Sequence, residues 1–207
     1  MRTSSPKKGT QVFAKTPFRF VEIRHQETNS ILVPSVSSSR RQYLPCGFLT
    51  NENVISNSAQ AIYNAEPFTL SILSSKIHLI WVRTVAGYLK TDYRYSSVLC
   101  YNTFPFPTIS KQRKEELIQC TLKIIDERLK YSEKTLAQLY DPDKMPVGLK
   151  EAHHQNDLAV ECCYRSTPFN SDEERLEYLF KLYEKMIQEE KDKDTLFAKE
   201  KKTRKRK

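Results

Sequence analysis

Near Pro107 the sequence changes its hydrophobic period and its charge together, which confines the chain to two unlike halves. Upstream, β-branched and aromatic runs (Phe18 to Ile23, Ile31 to Val36, Tyr43 to Leu49) are cut by Pro17, Pro34, Pro45 and Gly47. This pattern predicts short strands of a small mixed sheet with irregular edges, with another strand from Val54 to Tyr63. Between Phe68 and Leu89 the period lengthens: Leu73, Ile77, Ile80, Trp81, Val85 and Leu89 recur every three or four residues, predicting one long core helix. Val98 to Phe106 returns to strand character until Pro105 and Pro107 stop it, and Tyr101 to Pro107 reads as a buried strand and hinge.

Downstream of Pro107 everything has helical period. Ser110 is placed to cap a helix with the stripe Ile118, Leu122, Ile125 and Leu129. Asp141, Pro142, Pro146 and Gly148 mark a turn before a second helix from about Leu149 to Tyr164. Ser171-Asp172-Glu173-Glu174 spells the capping box S-x-x-E ahead of a third, with the stripe Leu176, Phe180, Tyr183 and Ile187. The expected class is α+β: a small mixed β-sheet unit with a long core helix, then a helical segment.

Charge follows the same division. Residues 1 to 110 hold 12 Lys/Arg against 5 Asp/Glu, a balance of +7; residues 111 to 198 hold 15 against 19, or −4; residues 199 to 207 hold 7 against 1, or +6. A polyanion would meet the first half and the tail. The 207 residues suffice for a genuine core. Five cysteines (Cys46, Cys100, Cys120, Cys162, Cys163) without a CxxC pair suit a reducing cytoplasm, and no stretch approaches the roughly 20 apolar residues of a membrane span.

Enzymatic signatures are sparse. Four glycines (Gly9, Gly47, Gly87, Gly148) make no Gly-rich loop for a nucleotide or methyl donor, and no Pro follows Asn or Pro, so the Asn-Pro-Pro-Tyr type of base-holding motif is missing. Glu189-Glu190-Lys191 spells a nuclease-like Glu-x-Lys but reads as a solvated helix face. His154 and Cys162 on one helix would lie ~12 Å apart, too far to share a metal, so buried thiols beside an exposed His153-His154 pair are expected.

Two loops carry chemistry suited to DNA. Ser37-Ser38-Ser39-Arg40-Arg41-Gln42-Tyr43 places hydroxyls, two guanidiniums and an aromatic between strands. Arg can fork onto guanine or phosphate and Ser can donate to phosphate, although a plain solvated turn has the same composition. Lys90-Thr91-Asp92-Tyr93-Arg94-Tyr95-Ser96 interleaves two cations with two tyrosines and an aspartate able to accept from cytosine; here Asp92 and Arg94 could equally pair with each other.

At these loops a wider resemblance appears. Val33-Pro34, Ser37-Ser38, Arg41, Tyr43-Leu44-Pro45, Gly47-Phe48-Leu49, Ile72-Leu73-Ser74-Ser75, His78, Trp81-Val82-Arg83, Gly87, Leu89 to Ser96 and Tyr101-Asn102-Thr103-Phe104-Pro105-Phe106-Pro107 follow one another as in the C-terminal third of type IIG (MmeI-like) restriction-modification enzymes. The likeness continues through Thr135-Leu136, Leu139 to Pro146 and Asp172 to Phe180, so it spans roughly Phe18 to Ile187. Where that family commonly has Glu after the Ser-Ser pair, this chain has Ser39.

The resemblance implies a DNA target-recognition domain over residues 11–107 and a helical C-terminal segment over 108–190; the polar ends outside it read as a disordered start (1–10) and a charged, disordered basic tail (191–207). It implies sequence-specific recognition of duplex DNA on behalf of an adenine-N6 methyltransferase and endonuclease, through the two loops as regions; by their chemistry the expected contacts there are Arg40, Arg41, Lys90, Asp92, Tyr93, Arg94 and Tyr95. Arg83 either joins them or braces its helix against a carboxylate. No cofactor is expected in this chain: S-adenosylmethionine and Mg belong to domains of the parent or a neighbouring polypeptide, which makes the chain a truncated product, a split specificity piece or an excised part. The rival reading is a helical protein-interaction module over 111–198 with a solubilising tail; RNA binding lacks its aromatic sheet signature.

Overall fold

The structure is a computed structural model that describes residues 2–19 and 23–204, with side chains described through residue 193. A short helix α1 (Lys8–Val12) precedes strand β1 (Ser30–Pro34), β2 (Val36–Ser37), β3 (Gly47–Leu49) and β4 (Ala59–Tyr63). Helices α2 (Pro67–Leu73) and α3 (Lys76–Val85) follow, then the hairpin β5 (Gly87–Leu89) and β6 (Asp92–Arg94) and a π-helical turn over Ser97–Tyr101. Four helices complete the chain: α4 (Lys111–Leu129), α5 (Leu136–Leu139), α6 (Val147–Glu161) and α7 (Asp172–Arg204).

The expected single mixed sheet is two three-stranded sheets, ordered β3-β1-β4 and β2-β6-β5, and every pairing is antiparallel. The chain passes between them at Ser35, whose N–H donates to the Ser58 carbonyl on the first side while its carbonyl accepts from Tyr95 N–H on the second. Pro34, which has no N–H to give a ladder, stands immediately before this switch. Of the predicted strand over Phe18 to Ile23, residues 20–22 lie outside the described residues. The strand predicted from Val54 starts only at Ala59, and Tyr43 to Cys46 is buried without ladder pairing.

The single long helix is interrupted. Ser75 takes an extended conformation (φ −82°, ψ 158°), its hydroxyl accepts from His78 N–H and donates to the Ile72 carbonyl at 2.6 Å, and so ends α2 and caps α3 at once. Hydrophobic period ran through this break because Leu73 and Ile77 are both buried; the serines between them competed successfully for the backbone. The expected strand from Val98 is instead the π turn, capped by Ser96, and Phe104 beyond it is 1% exposed.

On α4 the buried stripe is Leu117, Thr121 and Ile124, one residue away from the predicted one, while Leu122 and Leu129 are 44% and 65% exposed. Thr121 masked the register: it is fully buried because its hydroxyl donates to the Pro67 carbonyl at 2.9 Å. Ser110 caps α4 as expected, accepting from Arg113 N–H. At α7, Ser171 accepts from Glu174 N–H at 3.1 Å, but the Glu174 carboxylate returns to Asn170 N–H at 2.7 Å, one residue earlier than in a closed box. Leu179, absent from the predicted stripe, is fully buried. Within the segments expected disordered, the backbone at residues 8–10 and 191–204 is helical.

One continuous interior joins the two halves. Ile72, Ile77, Trp81 and Phe104 pack with Leu117, Val160, Phe169 and Leu179, and the Trp81 ring lies 5.4 Å from those of Phe180 and Tyr183 on α7. Polar groups cross the same boundary. Ser71 Oγ donates to Asn156 Oδ1, Asn156 Nδ2 donates to the Ser71 carbonyl, and Asp157 accepts from Tyr43 Oη at 2.8 Å and from Lys76 N–H at 2.7 Å. That last bond sets a carboxylate from α6 against the N-terminus of α3, where free N–H groups and the helix dipole favour it.

Candidate nucleic-acid interface

The second sheet brings the two expected loops together. β6 is its central strand: Arg94 stands opposite Val36 on one side and Gly87 on the other, Tyr93 opposite Ser37 and Tyr88, and Asp92 opposite Leu89. The Ser/Arg loop leaves β2 directly, and Lys90-Thr91 forms the two-residue turn of the hairpin. Segments about fifty residues apart in sequence thus become neighbours in a single small surface.

Alternation along β6 sorts the candidates. Arg94 is exposed and Asp92 half-exposed on one face, with no ion pair between them among the described residues; Tyr93 turns inward at 9% exposure. Lys90 is exposed at the tip with φ 58°, a left-handed value uncommon for a residue with a β-carbon and one that hairpin turns select. Beside it Tyr88 and Leu89 are 60% and 51% exposed, a small apolar shoulder on a basic hairpin.

Tyr95 does not belong to this surface. It is 3% exposed, and its hydroxyl lies 3.2 Å from Nε2 of the fully buried His78. Burial holds this imidazole neutral, lowering its pKa from 6.5 to about 3, and raises the Tyr95 phenol well above its ordinary value. Placement in the core corrects the expectation of a DNA contact here.

The two arginines of the Ser/Arg loop differ. Arg40 is exposed and forms an ion pair with Asp143 at 2.7 Å, both side chains about two-thirds exposed, so opening the pair costs little, of order 0–1 kcal/mol. Arg41 is half-buried: its Nη1 reaches Ser37 Oγ at 3.4 Å and its carbonyl accepts from Arg83 Nη2 at 3.3 Å. Arg83 therefore braces the Ser/Arg loop through a backbone carbonyl, not through a carboxylate. Tyr88 Oη in turn reaches the Arg83 carbonyl at 3.5 Å, so α3 contacts both loops.

Behind this surface lies a polar network that sequence reasoning missed. His153, expected on the surface with His154, is fully buried; its ring stacks on Tyr43 at 4.2 Å and its Nε2 lies 2.6 Å from Tyr140 Oη. Arg128 bonds the same Tyr140 hydroxyl and donates to the Cys46 carbonyl at 2.8 Å. Burial, and then the Arg128 charge, lower the His153 pKa to about 3. Asp157 moves the other way, pushed up to about 7 by desolvation despite its bonds from Lys76 N–H and Tyr43. The readable signal was the interval Leu149, His153, Asn156 and Val160, one face of α6, with His154 on the opposite side.

Among the described residues no group of three His, Cys, Asp or Glu is placed to hold a metal; Cys162, expected buried, is exposed. No described helix is long and apolar enough to cross a membrane.

Known proteins agree with this arrangement. The chain matches the family described as MmeI, target recognition domain, over residues 1–108, and that described as MmeI, C-terminal domain, over 109–189. It is 50% identical over 188 residues to DNA methyltransferase A of Bacillus subtilis (strain 168), covering 90% of this chain and 21% of that protein. It superposes with a TM-score of 0.84 and 37% identity on a structure titled as the Type IIL restriction-modification enzyme MmeI in complex with DNA, over 90% of this chain and 25% of the other. The chain thus spans about a fifth to a quarter of these relatives. From the two consecutive matches, which together reach from residue 1 to residue 189, the chain belongs to the MmeI family and comprises its target recognition domain followed by its C-terminal domain.

Proposed function

We propose that this chain reads a specific duplex DNA sequence for a restriction-modification enzyme whose methyl transfer and cleavage are carried out by domains other than these. The observation that supports this most is the second sheet, which unites the Ser/Arg loop and the Lys90 hairpin into one basic surface with Arg94 at its centre. Arg94 and Lys90 are exposed and can extend into a groove, Asp92 can accept from an exocyclic amine, and Arg40 is released from its surface ion pair at small cost. Tyr93 supports the strand from within. The helical segment serves as the rigid back of the recognition domain, which accounts for its apolar faces without a separate protein partner.

Base flipping and adenine-N6 methylation, with S-adenosylmethionine, and Mg-dependent cleavage would then belong to the parent or a neighbouring polypeptide in the cytoplasm. The resemblance, not the residues of this chain, supplies those details. Selection from a randomised duplex pool tests the reading: the chain should enrich a defined motif, and Arg94→Ala should broaden that motif at one base pair. Retention of all sequences alike would refute specific recognition.

A further inference from the structure

Arg83 reaches the Arg41 backbone beside the second sheet, and among the described residues neither side chain has a carboxylate partner. Each guanidinium makes a single long bond, Arg41 to Ser37 Oγ at 3.4 Å and Arg83 to the Arg41 carbonyl at 3.3 Å. The Nε of each is buried and has no hydrogen-bond partner among the described residues, and neither residue forms an ion pair there. Other half-buried arginines of this chain are supplied differently: Arg175 holds Glu161 at 2.6 Å, and Arg165 holds Glu174 at 2.7 Å.

Arg128, also half-buried, spends its donors on the Tyr140 hydroxyl and, at 2.8 Å, the Cys46 carbonyl. Arg41 and Arg83, joined through the Arg41 backbone carbonyl, each leave a buried Nε–H unpaired among the described residues, which costs free energy. An anion with several oxygens would meet these donors, because the planar forks of two arginines can share it. Ser37, which anchors Arg41, is paired with Tyr93 next to Arg94, so an anion held here sits alongside the surface facing DNA.

We infer that Arg41 and Arg83 form a binding site for one phosphodiester of the duplex backbone, fixing the register in which Lys90 and Arg94 approach the groove. The inference rests on the duplex-recognition reading. It gives Arg83 a role in binding, and makes Arg41 a positioning contact instead of a reader of bases.

The test uses the full chain, a labelled duplex of about 20 base pairs and a salt series. Arg83→Gln should bind roughly tenfold more weakly at low salt and lose about 0.9 from the slope of log affinity against log salt, the loss for one phosphate, with the selected motif unchanged. Arg83→Lys, which keeps the charge, should restore most of the slope. Inorganic phosphate should raise the melting temperature of the parent chain more than that of Arg83→Gln. A folded Arg83→Gln with the parental salt slope would overturn the inference, as would a change of motif at one base pair, which would make the site a base contact. If the parent chain bound no duplex, the recognition reading would fall; the phosphate series would still judge the site, equal stabilisation of parent and variant rejecting it.

Discussion

Acidification from pH 7 to pH 5 should loosen this fold by an amount that three buried groups set. His78 and His153 remain neutral in the folded chain down to about pH 3, whereas an unfolded chain protonates both near pH 6.5. Their folded pKa values are depressed, so the unfolded state binds the extra protons and stability falls as pH drops through this window. Asp157 opposes them. Its folded pKa is raised to about 7 from 3.8, so between those values the folded state holds the extra proton and stability rises as pH falls.

Integrating over the two pH units, each imidazole costs about 2 kcal/mol and Asp157 returns about 2 kcal/mol, for a net loss of about 1 to 2 kcal/mol. For a chain of this length that is a decrease of about 3–6 °C in melting temperature. Asp157→Asn removes the opposing group, so the same change should then cost about 4 kcal/mol, or roughly 8–15 °C. Thermal unfolding followed by circular dichroism at pH 7, 6 and 5 measures both. A parent chain melting at the same or a higher temperature at pH 5, or a variant with the parental pH dependence, would contradict the assignment of these charges.

Other expectations concern packing and binding. Leu117→Ala should cost about 2–5 kcal/mol in denaturant unfolding and Leu129→Ala much less, since α4 buries the first and exposes the second. Tyr43→Phe removes a bond to a buried carboxyl group and should destabilise by about 1–3 kcal/mol by the same measurement. In the complete enzyme, Arg94→Ala should lower affinity for the cognate site by about 1–3 kcal/mol, read by titration against duplexes varied at each base pair. Removing residues 199–207 takes away a balance of +6, so it should weaken binding to all duplexes and flatten the salt slope without altering preference. Incubating the chain with labelled S-adenosylmethionine and mixed duplex should give no methyl incorporation above a boiled control.

The halves, their junction and most helix starts could be read from the sequence because Ser110, Ser171 and the prolines act locally. What escaped is decided between segments. Thr121 is polar and lies outside the expected stripe, yet a carbonyl at Pro67 makes its burial favourable. Ser74-Ser75 looked like an acceptable point in a helix, yet Ser75 reorganises the backbone there. At the interface, residue types located both loops, but alternation about a strand whose partners were unknown could not separate Arg94 from Tyr95. Nor could it show that Arg83, from another element, bonds the Arg41 carbonyl.

The seam at Pro107, where sequence character changes and the two family matches meet, is a poor place to exchange parts between relatives. A recognition domain transplanted without its helices would expose Trp81 and Phe104, and would leave the N-terminus of α3 without the carboxylate of Asp157. The outward positions of β6 and its turn carry no such dependence: Arg94 is held in place by backbone ladders to Val36 and Gly87, whatever its side chain. On the proposed reading, new target sequences are therefore more accessible by changing a few exposed side chains on a fixed strand than by shuffling whole domains.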